Sequence, residues 1–358
     1  MAPFPTFGRM TDPKSTKLSY AQAGVDIKAG DEAVARIKNL ARSTFNSSVL
    51  SEIGSFGGFF KPDFGSMSNP VLVSSCDGVG TKLKLAFMTG KHDTVGEDLV
   101  NHCINDILVH AARPMFFLDY IATGKLKPEV IAEVVSGLAR GCRNAGIALL
   151  GGETAEMPDF YAPGEYDLAG FVIGMVDQNK IINGSTIREG DVCIGLLSNG
   201  LHTNGYSLAR RVAFDVARLN ADSWVEELRC SIAEALMQVH RCYAPIVFRL
   251  LDKHEIHGMA HITGGGIPGN LNRIIPDGLS ATVNRNSWPV LSIFHWLAKA
   301  GNLDPVDMYS AFNMGIGYVL VVPAGEVDTI MKTLGIMNEP AYVIGAIERG
   351  ADKVKMVD

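Results

Sequence analysis

The sequence predicts a protein of the α/β or α+β class, built as two units of similar size. The chain has 358 residues, which is long enough for two hydrophobic cores. Its composition, 47% hydrophobic and 20% charged, is typical of a folded globular protein. Apolar runs typical of buried strands alternate along the chain with stretches of helical periodicity. This alternation indicates layered sheets and helices.

The first half of the chain contains three predicted helices and four predicted strands. The helices have apolar residues at helical spacing and begin at Gly30-Asp31, near residue 95 and at Pro128. Proline suits the first helical turn, and Gly146 is placed to end the third helix. The predicted strands are 71–76, 115–122, 147–153 and 169–176.

The polar, turn-rich stretch 177–191 predicts the boundary between the two units. The strands predicted beyond it are 192–199, 258–263, 318–323 and 341–348, with helices starting near residues 204, 268 and 325. The predicted domains are therefore 18–176 and 177–358. Residues 1–17 are rich in Pro, Ser, Thr and Lys, which predicts a flexible tail.

Charge, cysteine content and hydropathy exclude several classes of protein. The net charge of −6 offers no basic surface for nucleic acid, so an anionic ligand must be held locally. The six cysteines show no CxxC spacing, which favours reduced thiols over a zinc site. The N-terminal stretch has no apolar core of a signal peptide, and no apolar stretch approaches the length of a membrane span. We therefore expect a cytoplasmic protein with no membrane contact.

The stretch "VLVSSCDGVGTKLKLAF" at 71–87 places an acid, two glycines and a lysine directly after an apolar run. It matches neither the Walker A loop nor the Rossmann fingerprint. Free backbone N–H groups in a glycine turn beside Asp77 are typical of an anion or metal site. A glycine-rich turn with a surface Asp and Lys explains the pattern equally well.

Two further segments carry acids. In "VNHCINDILVHAA", His102 and Asp106 are one helical turn apart and lie off the apolar stripe, which alone favours a solvated helix face. In "IALLGGETAEMPDFY", a buried strand again leads through glycines to an acid, Glu153. Acids that converge are stable when a hard cation such as Mg²⁺ neutralises them. The pattern therefore indicates a carboxylate cluster that binds a metal.

Two histidine segments lie in the second half. His202 is flanked by two Asn-Gly pairs in "LLSNGLHTNGYSL", where a plain loop is the alternative. His261 ends a strand in "MAHITGGGIPGNL", before a glycine run that fits a phosphate at a helix start. Taken alone, each histidine is more often structural than catalytic.

Together these segments resemble the aminoimidazole ribonucleotide synthetase (phosphoribosylformylglycinamidine cyclo-ligase) family of purine biosynthesis. The resemblance covers residues 19–350, and Lys28 is one departure from the family pattern. The segments that carry it include "SYAQAGVDIKAGDEAV" at 19–34, "SSCDGVGTKLKLA" at 74–86, "INDILVHAARPMFFLDYIATGKL" at 104–126, "LGGETAEMPDFY" at 150–161, "LSNGLHTNGYSL" at 197–208, "HITGGGIPGN" at 261–270 and "FNMGIGYVLVV" at 312–322.

The resemblance implies an α+β fold of two domains and a homodimer. The N-terminal mixed sheets would pair into a dimeric β-barrel, and a C-terminal α/β-type sheet would be flanked by helices. ATP would lie in the cleft, with Mg²⁺ held by Asp77, Asp106 and Glu153. The residues implied around the nucleotide are Gly78, Val79, Gly80, Thr81, Lys82, Asn105, Gly151, Gly152 and Thr154.

The resemblance also implies the substrate, formylglycinamidine ribonucleotide, and a mobile flap at Gly24–Asp26. ATP would phosphorylate the formyl oxygen so that it can leave during ring closure. The implied catalytic residues are His202, His261 and Lys82, and which histidine is the base stays open. The residues implied on the substrate side are His202, Asn204, His261, Gly264, Gly265 and Gly266.

Two other kinds of protein fit parts of the pattern. ATP-using enzymes of the same superfamily, of the thiamine-monophosphate kinase or selenophosphate synthetase type, share the acids and glycines. A selenide user is expected to carry a reactive cysteine near its N-terminus, whereas the first cysteine here is Cys76. The kinase lacks a good match to "LHTNGYSL". A non-catalytic maturation partner would not turn over ATP with any substrate.

Overall fold

The computed structural model describes residues 24–358, in which two β-sheets have helices packed on them. The predicted tail, residues 1–17, lies outside the described residues. Among residues 24–358, no helix combines the length and the apolar character needed to cross a membrane. The alternation of strands and helices predicted from the sequence is confirmed, and the chain is a mixed α/β protein.

The first sheet has four strands in the order β1-β4-β2-β3. Only β2 and β3 pair in parallel, and the other two pairings are antiparallel. This is the mixed sheet that the resemblance implied. The strands are β1 Pro70–Gly78, β2 Arg113–Thr123, β3 Ala148–Glu156 and β4 Tyr166–Asp177.

Four helices belong to this half: α1 Ile27–Arg42, α2 Leu83–Thr89, α3 Val95–Leu108 and α4 Pro128–Ala145. Glycines let α3 and α4 approach closely, because a Cβ on Gly96 would lie only 2.2 Å from the backbone oxygen of Val134. Helix α1 begins at Ile27 and not at the predicted Gly30-Asp31. The reason is that the Asp26 side chain accepts hydrogen bonds from the first backbone N–H groups.

The second sheet has six strands in the order β12-β9-β11-β5-β10-β8. The chain also forms a short hairpin, β6-β7. The strands are β5 Val192–Leu197, β6 Trp224–Val225, β7 Cys230–Ser231, β8 Gly258–His261, β9 Leu279–Asn284, β10 Ile316–Val322, β11 Ala341–Arg349 and β12 Val354–Val357. Only β9 and β12 pair in parallel, which corrects the predicted α/β-type sheet: this sheet is mostly antiparallel.

The helices of this half are α5 Tyr206–Arg210, α6 Ile232–Leu236, α7 Ala244–Leu251, α8 Gly266–Leu271, α9 Ser292–Gly301, α10 Pro305–Ala311 and α11 Val327–Ile336. One cluster of buried apolar side chains runs from the first sheet and α3 into the second half of the chain. Helix α3 packs on the first sheet and also contacts α7 of the second half. Its polar side chains therefore face the second half of the chain.

One face of the first sheet is left uncovered by the described residues. Side chains on β1 alternate between partly buried and exposed, as the pleat requires. Leu72 on β1 is 66% exposed and Phe171 on β4 is 40% exposed. Cys76, Phe171 and Leu118 are register partners across three strands and so share this face. We call it the open face.

Candidate active site

Helix α3 presents a row of polar side chains to the second half of the chain. These residues are Asp98, Asn101, His102, Asn105 and Asp106, spaced so that they share one side of the helix. The solvated helix face that spacing alone favoured for His102 and Asp106 is wrong, because His102 is 3% exposed. The row meets the segment 238–243 instead of water.

Three members of this row bind the backbone of that segment. Asp98 Oδ1 accepts from the His240 N–H at 2.7 Å, and Asn101 Nδ2 donates to the His240 carbonyl oxygen at 2.7 Å. Asn105 donates to the carbonyl oxygen of Arg241 and accepts from the N–H of Tyr243. Asn105, predicted to support the nucleotide, is thus committed to fixing this segment.

The end of strand β1 meets α3 at two carboxylates and a histidine. His102 Nε2 lies 2.7 Å from Asp77 Oδ2 and 3.8 Å from Asp106 Oδ2. Ser75 also donates to Asp106 Oδ2 at 3.0 Å. The structure therefore brings Asp77 and Asp106 together, as the metal prediction requires, with His102 between them.

Four histidines form a buried group behind these acids: His102, His202, His240 and His261, here called the histidine cluster. His202 and His240 are stacked, with ring centroids 4.1 Å apart. His240 Nε2 lies 3.0 Å from His261 Nε2, and His261 Nδ1 lies 2.8 Å from Asp106 Oδ1. Thr203 Oγ1 bridges His102 Nδ1 and His240 Nδ1.

The hydrogen bonds around His240 indicate which ring carries the hydrogen between His240 and His261. Because Asn105 Oδ1 accepts from Tyr243, its Nδ2 is a donor, and it lies 3.2 Å from His240 Nε2. His240 Nε2 is then an acceptor, so the hydrogen between the two rings is on His261 Nε2. His261 Nδ1 lies 2.8 Å from Asp106 Oδ1, and this carboxylate oxygen accepts a hydrogen bond whenever that nitrogen carries a proton.

The electrostatic environment keeps the acids charged. Burial alone would raise the pKa of Asp77, but the hydrogen bond and charge of His102 outweigh it, and the pKa is lowered. Asp106 behaves in the same way, with its pKa lowered by His261. Burial is the largest single influence on His102 and acts to lower its pKa, but the hydrogen bond to Asp77 and the charges of the nearby carboxylates together raise it.

The inner histidines are held neutral. Burial is the largest cause that lowers the pKa of His202, His240 and His261, and neighbouring histidines add to it. His202 also has a left-handed backbone, with φ of 62°, which strains a residue other than glycine. Neither of its ring nitrogens has a hydrogen-bond partner among residues 24–358. A neutral imidazole can accept a proton or bind a metal.

A pocket of about 520 Å³ opens onto the two carboxylates and onto His102 and His261. It lies between β1 and α3 on one side and β8 and α8 on the other. Its lining includes Asp77, Asp106 and His261, with Arg273 also in the wall. The pocket has the size of a small-molecule site and brings acids, a neutral imidazole and a guanidinium to one surface.

Among residues 24–358, two groups of three side chains bring metal-binding atoms within 4.8 Å of one another: His102, Asp106 and His261, and His202, His240 and His261. The stacked rings of His202 and His240 are only 18° from parallel, so their in-plane lone pairs do not converge on one point. The carboxylates at the pocket are therefore the better ligands. Their oxygen atoms suit Mg²⁺.

The structure does not bring Glu153 to the two aspartates. Asp77 pairs across the sheet with Gly170, whereas Glu153 pairs with Tyr120, which belongs to the opposite set of the pleat. Strands β4 and β2 also separate β1 from β3, a distance of about 14 Å at ~4.8 Å per strand. Within one chain, the predicted three-acid shell is corrected to two acids, and Glu153 lies on the open face.

Lys82 is also not where the phosphate prediction requires it. Its side chain is completely buried, and Nζ lies 2.8 Å from Asp98 Oδ1. An ammonium with no exposed surface cannot contact a ligand in this conformation, which corrects the predicted roles of Lys82 as a catalytic and phosphate-binding group. The physical reason is that Gly80 starts a short helical turn that directs Lys82 inwards.

The other predicted nucleotide residues fall into two places. Gly78, Val79, Gly80 and Thr81 follow Asp77 at the edge of the pocket, and the Gly78 N–H bonds Asp77 Oδ1. Gly151, Gly152 and Thr154 lie on β3, the far strand of the first sheet. A Cβ on Gly152 would collide with the Asp119 carboxylate, so glycine serves packing there.

The residues predicted for the substrate side do come together. His202 and His261 both flank His240, and the Asn204 side chain lies beside Gly264. Gly265 and Gly266 have positive φ, and a Cβ on Gly266 would strike the backbone of Tyr309. The glycine run thus has the tight turn that only glycine allows.

Sequence reasoning missed His240, Thr203 and Asp98. No local signal identifies them, because their partners lie far away in the chain. The spacing of His102 and Asp106 was a usable signal for His102. The segment Gly24–Asp26, expected to be a mobile flap, is bonded to the end of β3 through the Asp26 N–H and Glu156.

Models of one protein family match most of the chain. The family described as AIR synthase related protein matches with its N-terminal domain over residues 64–176 and its C-terminal domain over residues 188–357. The phosphoribosylformylglycinamidine cyclo-ligase of Thermodesulfovibrio yellowstonii is 52% identical over 338 residues, 94% of this chain and 98% of that protein. The enzyme of that name from Syntrophotalea carbinolica is 53% identical, over 96% and 98% of the two chains.

Solved structures show the same fold at low sequence identity. Thiamine-monophosphate kinase from Stenotrophomonas maltophilia has a TM-score of 0.69 at 18% identity, covering 91% of this chain and 95% of that one. The hydrogenase maturation protein HypE in complex with ATP has a TM-score of 0.64 at 19% identity, covering 91% and 90%. These likenesses concern the fold alone.

Proposed function

Because the chain belongs to the phosphoribosylformylglycinamidine cyclo-ligase family, we propose that the pocket between β1, α3 and β8 is where it closes the ring. The enzyme is an ATP-dependent ligase of purine biosynthesis. It converts formylglycinamidine ribonucleotide to 5-aminoimidazole ribonucleotide, with release of ADP and phosphate. The observation that carries the assignment of the pocket is the meeting of Asp77, Asp106 and His261 at its wall.

Ring closure must expel the formyl oxygen, and hydroxide is a poor leaving group. ATP solves this by placing its γ-phosphoryl group on that oxygen, so that phosphate departs instead. Such a transfer needs positioning and charge neutralisation rather than a protein nucleophile. The glycine turn Gly78–Thr81 lies beside Asp77; because the Gly78 N–H is already bonded to Asp77 Oδ1, we assign the Gly80 and Thr81 N–H groups to phosphate oxygens.

The attacking nitrogen loses a proton when the ring forms, and His261 is suited to receive it. It lines the pocket, whereas His202 is almost completely buried behind His240. The imidazolium that forms when His261 takes up the proton is paired with Asp106. His202 then supports the cluster by stacking on His240.

Asp77 and Asp106 fit Mg²⁺, which would neutralise triphosphate charge beside them. Both carboxylates are partly exposed to the pocket, at 44% and 27% of their side-chain surface, and both are ionised. Glu153 would join such a site only from another chain. Arg273 lies in the same pocket wall, and we assign it to the substrate's phosphate.

The proposed organisation is a homodimer of chains with two domains each, divided near residue 177. The open face supports this, because apolar side chains such as Leu72 and Phe171 need cover. A second copy would cover these apolar side chains with its own open face, and the two sheets would pair into a barrel. Glu153 on that face would then approach the partner.

Replacing Leu72 with Asp is expected to convert the dimer to a monomer, because a carboxylate would be buried in an apolar interface. Sedimentation velocity measures this directly. Ile336→Asp is the matched control, since Ile336 is 76% exposed on α11, away from the open face. A dimer that survives Leu72→Asp would place the interface elsewhere.

The reaction is tested by mixing the protein with ATP, Mg²⁺ and formylglycinamidine ribonucleotide. We expect ADP and the aminoimidazole product to form at equal rates. ADP formed without the aromatic product would instead favour a kinase of the same fold, which the family match does not favour.

A further inference from the structure

We propose that Lys82 is a positioning residue, which couples the glycine turn after β1 to the histidine cluster through a buried ion pair. It touches neither substrate nor nucleotide. The inference rests on the ring-closing function proposed above. It departs from the role that a lysine after a glycine turn is expected to have, which is to bind phosphate.

The contacts of the ammonium are complete without a ligand. Lys82 Nζ donates to Asp98 Oδ1 at 2.8 Å, to the Gln238 carbonyl oxygen at 2.6 Å and to the His202 carbonyl oxygen at 3.3 Å. An ammonium has three donors, and these acceptors use all of them. Both members of the ion pair have no exposed side-chain surface.

The same ion pair reaches the second stacked histidine. Asp98 Oδ1 accepts from Lys82 and also from the backbone N–H of His240 at 2.7 Å. Lys82 and Asp98 therefore bond the backbone of both His202 and His240, whose rings lie face to face. Since His240 in turn contacts His261, the ion pair sets the position of the whole stack.

Stability alone does not explain such a pair. Removing two charges from water costs about as much as their attraction returns, so apolar residues of the same volume stabilise a fold equally well or better. Apolar residues, however, cannot form directional hydrogen bonds to the backbone. The bonds from Lys82 and Asp98 fix two backbone segments, 202 and 238–240, which are distant in the chain from the glycine turn.

Lys82 is also the last residue of the turn that begins after Asp77. A shift of that turn when phosphate binds would move Nζ and, through it, the carbonyl oxygen of His202 and the Asp98–His240 bond. The geometry thus links the nucleotide side of the pocket to the groups that handle the proton.

The test is the double variant Lys82→Met/Asp98→Leu, which removes both charges and keeps the volume. We expect the double variant to remain folded, because it leaves no unpaired buried charge, although its thermal midpoint should fall since the His240 N–H loses its acceptor. We expect kcat to fall on the order of 100-fold, because a displacement of about 1 Å in a catalytic group has that effect. The KM and Kd for Mg·ATP should stay within about threefold, since no ligand contact is lost.

Two further variants separate positioning from other roles. Asp98→Asn keeps an acceptor for Lys82 and for the His240 N–H but removes the counter-charge of a buried ammonium, so we expect a lower thermal midpoint with a smaller loss of kcat than in the double variant. Lys84→Met is the matched control, because Lys84 is a neighbouring lysine whose side chain is 40% exposed and pairs with Glu165. The imidazole ¹⁵N signals of His202 and His240 should shift in the double variant and stay unchanged in Lys84→Met.

Three results would overturn the inference. A rise of more than about tenfold in the Kd for Mg·ATP at unchanged kcat would make Lys82 a phosphate ligand. Parental kcat with unchanged histidine signals in the folded double variant would make the ion pair merely structural. If the double variant does not fold, Asp98→Asn takes its place. A 100-fold loss of kcat in that folded variant would show that the reaction needs the negative charge of Asp98 rather than the position of the backbone. A parent enzyme that forms no aminoimidazole would instead refute the proposed function, while the histidine signals would still report on positioning.

Discussion

His261→Ala is expected to lower kcat by about 10²–10⁴-fold, the usual contribution of a positioned proton-transfer group. The reason is that His261, which is paired with Asp106 Oδ1, receives the proton of the attacking nitrogen. Steady-state assays of the aminoimidazole product measure this effect. The KM for ATP should change little, because His261 lies on the substrate side.

His295→Ala is the control for this measurement, since His295 is an exposed histidine on α9. Its kcat should equal that of the parent. His202→Ala tests the assignment of roles and should cost less than His261→Ala, because His202 acts through the stack. If both variants kept near-parental turnover with the fold intact, neither histidine would take part in the reaction.

Asp106→Asn is expected to lower kcat by about 100-fold or more and to raise the Mg²⁺ concentration needed for half-maximal rate by at least about tenfold. The carboxylate has two roles: one oxygen pairs with His261 and the other lies near His102 and Ser75. An amide keeps the shape but supplies no negative charge for a cation or an imidazolium. Rate measured against Mg²⁺ at fixed ATP separates the two effects.

Asp307→Asn, at an exposed position on α10, should leave both quantities unchanged. The decisive comparison is the Mg²⁺ titration. An unchanged titration in Asp106→Asn, even with reduced kcat, would remove Asp106 from the metal site and leave it only the orientation of His261.

The order of strands and helices could be predicted from the sequence because periodicity is local. The face of the sheet on which each side chain lies could not be predicted, and Asp77 and Glu153 show why. Both were expected just after or at the end of a strand, where acids from neighbouring strands can meet. The strands in fact continue to Gly78 and Glu156, so the pleat decides the face, and it sends the two acids to opposite sides.

The site itself was partly predictable. The i, i+4 spacing of His102 and Asp106 placed them together, but their burial follows from α3 lying against both halves of the chain. His240 had no detectable signal, since its contacts with Asp98 and His261 join residues 142 and 21 positions apart. Likewise, the position of Lys82 after a glycine turn predicts a phosphate ligand, and only the structure shows that it pairs with Asp98.

The backbone strain at His202 costs some folding stability, and the imidazole ring at that position is needed for the stack on His240. Glycine would adopt a φ of 62° without strain and would relieve roughly 1 kcal/mol, yet it would remove the ring that lies against His240. Removing the buried ring would also open a cavity beside His240, so a glycine here would lose both the stack and core packing. Engineering for thermostability should leave this residue untouched and look to the exposed helices instead.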